Sequence, residues 1–326
     1  MHKMAKTSTS ESGESDSMTS RERVRAVLDG RIPDRLPFNF WMDRDRMAAL
    51  DRALGENFRV RHYGADVIET FPDLRFFPGP ARFADVRALK DAIYPDADNP
   101  GCYAGIRADR AKYPNKALFA LMLTPLEILF SKVGMEQLFY DIADYGDLVD
   151  TLLERISQVL LKAVGHIADS GADVLYLAGD ICATRGEIMS SVMLRRFCFG
   201  PIQKLVTRAH ERGMKVFFHT DGHVMNILPL FVEHGIDGIN PLQYSANNSY
   251  ETFIEQYERR LMLYGGLDNC FIIPDGTPTQ VRRHVQRLFD TCGKNGRLIA
   301  SSHDIPFYAP LENLEAMVDE IKRCVY

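Results

Sequence analysis

The sequence predicts an α/β protein built as a (β/α)8 TIM barrel in a single domain. Three observations lead there. Eight short β-rich runs alternate, for the most part, with stretches of helical periodicity, and no clear linker interrupts them. A Gly-Ala/Ile-Asp pattern precedes a β-rich run three times, in YGADVIET (63–70), SGADVLYLAGD (170–180) and HGIDGINPLQ (234–243), as a helix C-cap leading into a strand does. The runner-up, a doubly wound sheet, loses ground because neither GxGxxG nor GxxxxGK[ST] follows any strand.

Taken in order, residues 1–17 are polar and Ser-rich, without the apolar core of a secretory signal, and read as a disordered leader before a barrel over 18–326. Met18 is a plausible natural start on this reading. Ordering the leader would lose chain entropy with no apolar burial to offset it. A chain beginning at Met18 is therefore expected to keep the melting temperature of the full chain, and a drop of several degrees would show that the leader packs. Thr19 and Glu22 have capping-box spacing for a first helix. The first strand is RLPFNFW (35–41), and Gly64 caps the helix before the second. ALFALML (117–123) follows. Leu148, Leu152, Ile156, Val159, Leu160 and Val164 then mark a helix that ends near Gly171. KVFFHT (215–220), the strand after Gly235, LMLYGGLD (261–268) and RLIASS (297–302) complete the set. Thr277 and Pro278 open a helix that buries Val281, Val285, Leu288 and Phe289 and stops at Gly293. A last helix begins near Pro310, with Leu311, Leu314, Met317, Val318 and Ile321 on one face.

Composition bounds the function. With 46% hydrophobic and 25% charged residues the chain has the make-up of a globular enzyme. A net charge of -5 gives no electrostatic case for nucleic acid or anionic lipid. No apolar run approaches the roughly 20 residues that span a bilayer. The six scattered cysteines form no CxxC pair, which fits reduced thiols in a cytoplasmic protein.

A barrel carries its active site where strands end. The strand ends supply Asn39, Trp41 and Asp43; Glu69; Asp180; His219, Asp221 and His223; Asn240 and Gln243; Asp268; and Ser301, Ser302, His303 and Asp304. Each has a plainer reading. Asp180 and Asp268 serve equally as helix N-caps, Asn240 and Gln243 as partners for loop backbone, Trp41 as wall, and His223 as a structural residue. His219 and His303 stand apart because they close two separate strands. Asp221, two residues after His219, points the same way. Two imidazoles and a carboxylate make a three-ligand metal site with an open position.

These residues also carry a resemblance. SRERVRAVLDGRIPDRLPFNFW resembles the opening of the uroporphyrinogen decarboxylase superfamily, FFHTDGHVMNILPLFVEHGIDGINPLQ its His-x-Cys/Asp-Gly segment, and YGGLD, GTPTQVRRHVQRLF and SSHDIPFYAPLENLEAMVD its closing third. The superfamily holds the decarboxylase and the cobalamin-dependent methyltransferases, both on (β/α)8 barrels. The decarboxylase branch implies tetrapyrrole (porphyrin) metabolism without metal, through an N-terminal Arg-Gln-Ala-Gly-Arg motif. This chain has FNFWMDRDR at that place, with Arg44 and Arg46 in a different pattern. The thiol-methylating branch implies zinc on His-x-Cys and a distant Cys. His219 matches the His, and Asp221 and His303 stand where the thiolates would be. Imidazole and carboxylate make a harder site, suited to an oxygen leaving group such as a methyl ether.

The resemblance thus implies a methyltransferase moving a methyl group between a small substrate and a corrinoid. The divalent metal, zinc by preference, sits on His219, Asp221 and His303, and Glu69 and Asp180 orient substrate or manage protons. Asn39, Trp41, Gln243 and Asp268 bind substrate. No Asp-x-His-x-x-Gly corrinoid motif occurs, so cobalamin comes from a partner protein. The rivals are a tetrapyrrole carboxy-lyase and a non-catalytic corrinoid or small-ligand binder. The sequence leaves room for a homodimer.

Overall fold

The structure, a computed structural model, describes residues 17–79 and 81–326. The leader, apart from Ser17, lies outside the described residues. Seven parallel strands form one curled sheet in chain order: Val67–Thr70, Ala117–Leu123, Val174–Ala178, Lys215–His219, Gly238–Asn240, Met262–Leu267 and Leu298–Ser302. Helices pack between successive strands, so the sheet has two apolar faces. Leu118, Leu175, Val216, Phe218, Ile239 and Leu263 point outward to the helices. Val67, Phe119, Val174, Tyr176, Phe217, Met262, Tyr264 and Ile299 point inward and fill the barrel. Phe119 and Tyr264 meet edge to face at 5.1 Å, and Gly238 has no side chain because a Cβ there would lie 2.7 Å from the Phe217 ring.

The expected first strand departs from its prediction. Residues 35–41 form no regular ladder; isolated bridges join Phe38 to Ala300 on the last strand and Met42 to Ile305 beyond it. Two donors are missing for a physical reason. Pro37 has no N–H, and the Phe38 N–H goes to the Asp66 carboxylate at 3.0 Å. The segment still closes the barrel, because Asn39 N–H donates to Ala300 O (3.0 Å), Ala300 N–H to Pro37 O (2.9 Å) and Asp66 N–H to Phe38 O (2.8 Å).

The far end is plugged by the helix Ser20–Leu28, whose Val24, Val27 and Leu28 join the inner core. The Thr19–Glu22 capping box holds its start as expected. Fully buried Asp66 receives Arg23 at 2.8 Å and Arg35 at 2.9 Å, and Arg23 also pairs with Asp34. Gly64, Gly171 and Gly235 adopt the positive φ of helix ends (78°, 94° and 75°). Pro278–Leu288 and Leu311–Arg323 form as predicted, the former with its Thr277–Gln280 capping box. Leu311 alone of the closing helix's apolar positions is exposed. Among the described residues no helix is long and apolar enough to cross a membrane.

Candidate metal centre

After Lys215 the Lys215–His219 strand is apolar until its last residue, so His219 emerges from the core at the barrel mouth with its side chain 13% exposed. Its neighbour across the ladder is Asn240. Both side chains face inward, and the pair is locked. Asn240 Nδ2 donates to the Tyr264 backbone oxygen at 2.6 Å, which fixes the amide so that Oδ1 faces His219. That oxygen can only accept, so His219 carries its proton on Nδ1 and donates it at 2.7 Å. The buried Tyr176 hydroxyl donates to the same Asn240 oxygen at 2.7 Å. The consequence is a free lone pair on His219 Nε2. An outer partner that sets ring and tautomer in this way is typical of metal-ligating histidine.

His303 follows the last strand, and its ring lies 4.8 Å from that of His219. Its Nδ1 is 3.1 Å from Asp221 Oδ2. Burial, and then the nearness of His219, lower its pKa, with Asp221 opposing. Both influences favour the neutral ring, the state a ligand needs. One donor atom from each of His219, Asp221 and His303 lies within 4.8 Å of the others, and this is the only such three-residue group among the described residues. Zinc with ligands at about 2.0–2.1 Å would set them roughly 3.4 Å apart. The side chains of Asp221 and His303, each about one-third exposed, have room to close that difference. The donor set fits a divalent ion.

Asp180 sits beside the trio, its Oδ1 3.8 Å from His219 Nε2 and accepting the Asp221 N–H at 3.4 Å. Glu127, which sequence reasoning passed over, accepts the Asp180 N–H at 3.2 Å, and burial raises its pKa. Deeper in the barrel, buried Glu69 accepts from the Tyr264 hydroxyl and from Asn39 Nδ2. Asn39 Oδ1 in turn takes Arg59 at 3.3 Å, and the Arg59 guanidinium lies 4.5 Å over the Trp41 ring. Glu69, Asn39 and Trp41 therefore form one cluster, to which Arg59 and Tyr264 are additions.

Two expected substrate binders also hydrogen-bond the loops around them. Gln243 takes the Gly222 N–H and reaches Cys270, while Asp268 caps the turn at Cys270 and Phe271. His223 bonds the Ala246 carbonyl, the structural role expected of it. Asp43 caps the helix Arg44–Leu54, on which Arg44 is exposed. Asn240 is not a loop partner only, since it orients His219. A cavity of about 580 Å³ lies away from all of these, against Lys90, Tyr94, Arg155 and Lys162, and contains none of the strand-end residues.

The sequence profile described as Uroporphyrinogen decarboxylase (URO-D) matches residues 73–324. This chain belongs to the uroporphyrinogen decarboxylase family. The match takes in Asp180, His219, Asp221 and His303 but starts after Asn39, Trp41 and Glu69. Among solved structures this family member is similar to a methyltransferase from Methanosarcina mazei, with 17% identity, 94% of this chain and 99% of that one covered, and a TM-score of 0.74. The fold is shared with it. A D-psicose 3-epimerase solved with D-fructose aligns at 13% identity over 86% and 93% of the two chains, with a TM-score of only 0.44. No curated protein matches the sequence.

Within the family the absent Arg-Gln-Ala-Gly-Arg motif has a structural counterpart. Residues 38–46, where the resemblance places that motif and which precede the matched residues, serve to close the barrel, to build the Asn39–Glu69 cluster and to start a helix.

Proposed function

We propose that this family member is a methyltransferase, moving a methyl group between a small substrate and a corrinoid carried by a partner protein. His219, Asp221 and His303 hold a divalent ion, zinc by preference. The observation carrying this reading is the His219 tautomer lock beside His303 and Asp221, at the position where the superfamily's thiol-methylating branch keeps its zinc. The fold-level likeness to the Methanosarcina mazei methyltransferase supports it. When bound, the ion supplies Lewis acidity that polarises the heteroatom bearing the methyl group.

The chain's own residues do the remaining work. Asn240 and Tyr176 keep the His219 lone pair directed at the site. Asp180, half exposed, is placed to orient a polar substrate or exchange a proton with water at the mouth. Asn39 and Trp41 wall the deeper side, with Arg59 fixing the Trp41 ring. Gln243 and Asp268 shape the mouth by holding its loops. Six unpaired cysteines support a cytoplasmic location.

A second reading, a metal-free lyase acting on a tetrapyrrole, has the family membership in its favour and the missing arginine motif against it. One assay separates them. Metal-loaded protein incubated with reduced cobalamin and a panel of methyl donors should form methylcobalamin, followed by absorbance, and chelation should abolish it. Decarboxylation of uroporphyrinogen with no methyl transfer would establish the lyase instead.

A further inference from the structure

Besides the carboxylate that serves as a ligand, three more acidic side chains stand at the metal trio. Asp180, half exposed, holds Oδ1 3.8 Å from His219 Nε2, the ligand atom itself. Glu127, half-buried, lies behind it and accepts the Asp180 N–H at 3.2 Å. Asp304, exposed, follows His303 directly. Among the described residues no lysine or arginine forms an ion pair with Asp180, Asp221, Asp304 or Glu127; Asp180 and Asp221 have only the two histidines as partners. The nearby arginines are turned elsewhere. Arg59 serves Asn39, the Phe40 carbonyl and the Trp41 ring, and Arg46 the Ala309 carbonyl and the Phe307 ring.

These charges are felt at the site. After burial and His219, the influences on His303 are the carboxylates of Asp221, Asp304 and Asp180. Even with Glu127 protonated, Asp180, Asp221 and Asp304 outnumber the charges of a divalent ion, so the loaded site keeps a negative excess at its mouth. A substrate ending in sulfonate, phosphate or carboxylate meets repulsion there. A neutral one leaves the excess as it is, and a cation answers it.

We propose that the small substrate carries an ammonium group, which docks on Asp180, while a second heteroatom of the same molecule, the one that gains or loses the methyl group, meets the metal. The proposal deepens the methyl-transfer reading and rests on its metal centre. Asp180 supplies a charge-assisted hydrogen bond from a side chain that solvent and substrate both reach. Asp304 adds attraction at longer range. The two polar ends of the substrate are about two or three carbons apart, because a metal–ligand bond of about 2 Å and a hydrogen bond of about 2.9 Å share the short gap between His219 and Asp180.

Cobalt(II)-loaded full chain tests this without turnover. Three thiols that differ only at the far end, 2-aminoethanethiol, 2-mercaptoethanol and 2-mercaptoethanesulfonate, should each give a sulfur-to-cobalt charge-transfer band. Their dissociation constants, referred to the thiolate form, should rise in that order by about tenfold per step at low salt. Added salt should narrow the spread. Asp180→Asn should remove most of the amine's advantage while the cobalt ligand-field bands show the ion retained, and Asp180→Glu should restore it. Equal affinities, tighter binding of the sulfonate, or an amine preference untouched by Asp180→Asn would overturn the proposal with the metal centre intact. Should Asp180→Asn fail to fold, the wild-type order and its salt dependence still decide. Failure to take up cobalt would remove the metal centre and the proposal together. The predicted order with no methylcobalamin formed in the assay above would keep the ammonium site and remove the methyl-transfer reading alone.

Discussion

Purified protein is expected to carry about one equivalent of divalent metal by elemental analysis, and His219→Ala or His303→Ala should each lower that affinity sharply. A hydrogen-bonding histidine can be replaced at modest cost, whereas a three-ligand site cannot lose a ligand and keep its ion. Chelation should strip the metal without global unfolding, since the barrel core does not depend on the mouth. Asn240→Ala is the more searching variant. It leaves all three ligands in place but frees the His219 tautomer, and outer-partner losses of this kind cost about 10–100-fold in affinity. His223→Ala, whose imidazole bonds only the Ala246 carbonyl, should do little. If folded protein takes up neither zinc, cobalt, iron nor manganese at micromolar concentrations, no such site exists and the metal-assisted reading fails.

Leu314→Asp should destabilise the fold by roughly 4 kcal/mol or more, a large share of the about 5–15 kcal/mol that holds a domain together. Leu314 is fully buried on the closing helix, which packs against Pro278–Leu288. The substitution removes apolar burial and places a carboxyl where nothing can pair with it. The sign of its pH dependence follows. Burial raises the introduced carboxyl's pKa above its unfolded value, so the variant should regain part of its stability on acidification through that range. Leu314→Met, close in volume, should cost less than about 1.5 kcal/mol, and Glu312→Gln on the exposed face should be nearly silent. A soluble Leu314→Asp protein of unchanged melting temperature would mean that the helix does not seal the core. Denaturant melts of the three variants decide the matter.

Much of this was legible in the residues because the signals are local. Thr19 with Glu22, Thr277 with Pro278, and the three capping glycines act within one turn of their own position, and each forms as read. His219 and His303 were legible because a polar residue ending an apolar strand has one place to go in a barrel. What escaped depends on register between distant segments. Asn240 orients His219 only because the two strands pair residue for residue, and nothing in GINPLQ announces that. Tyr176 and Tyr264 lie inside apolar runs and read as core. Their hydroxyls were the available clue, since a buried tyrosine needs a partner for its O–H. The first strand was read as regular because the rival for the Phe38 N–H, Asp66, comes 28 residues later in the chain.

That irregular closure also bears on how the protein is made. The seven-strand sheet grows by adding neighbours in the order of synthesis, each new strand pairing with the one just finished. The seam between residues 37–42 and 300–305 joins the earliest barrel segment to almost the last. On a ribosome it stays unsewn until Ala300 and Ile305 have emerged, and for most of translation the nascent chain is an open sheet with two unpaired margins. Such margins invite pairing with other chains. Pro37, which offers no N–H, and the Asp66 carboxylate, which occupies the Phe38 N–H, leave the early margin with little to offer a stranger. The same two residues that make the strand irregular in the finished barrel thus guard the unfinished one.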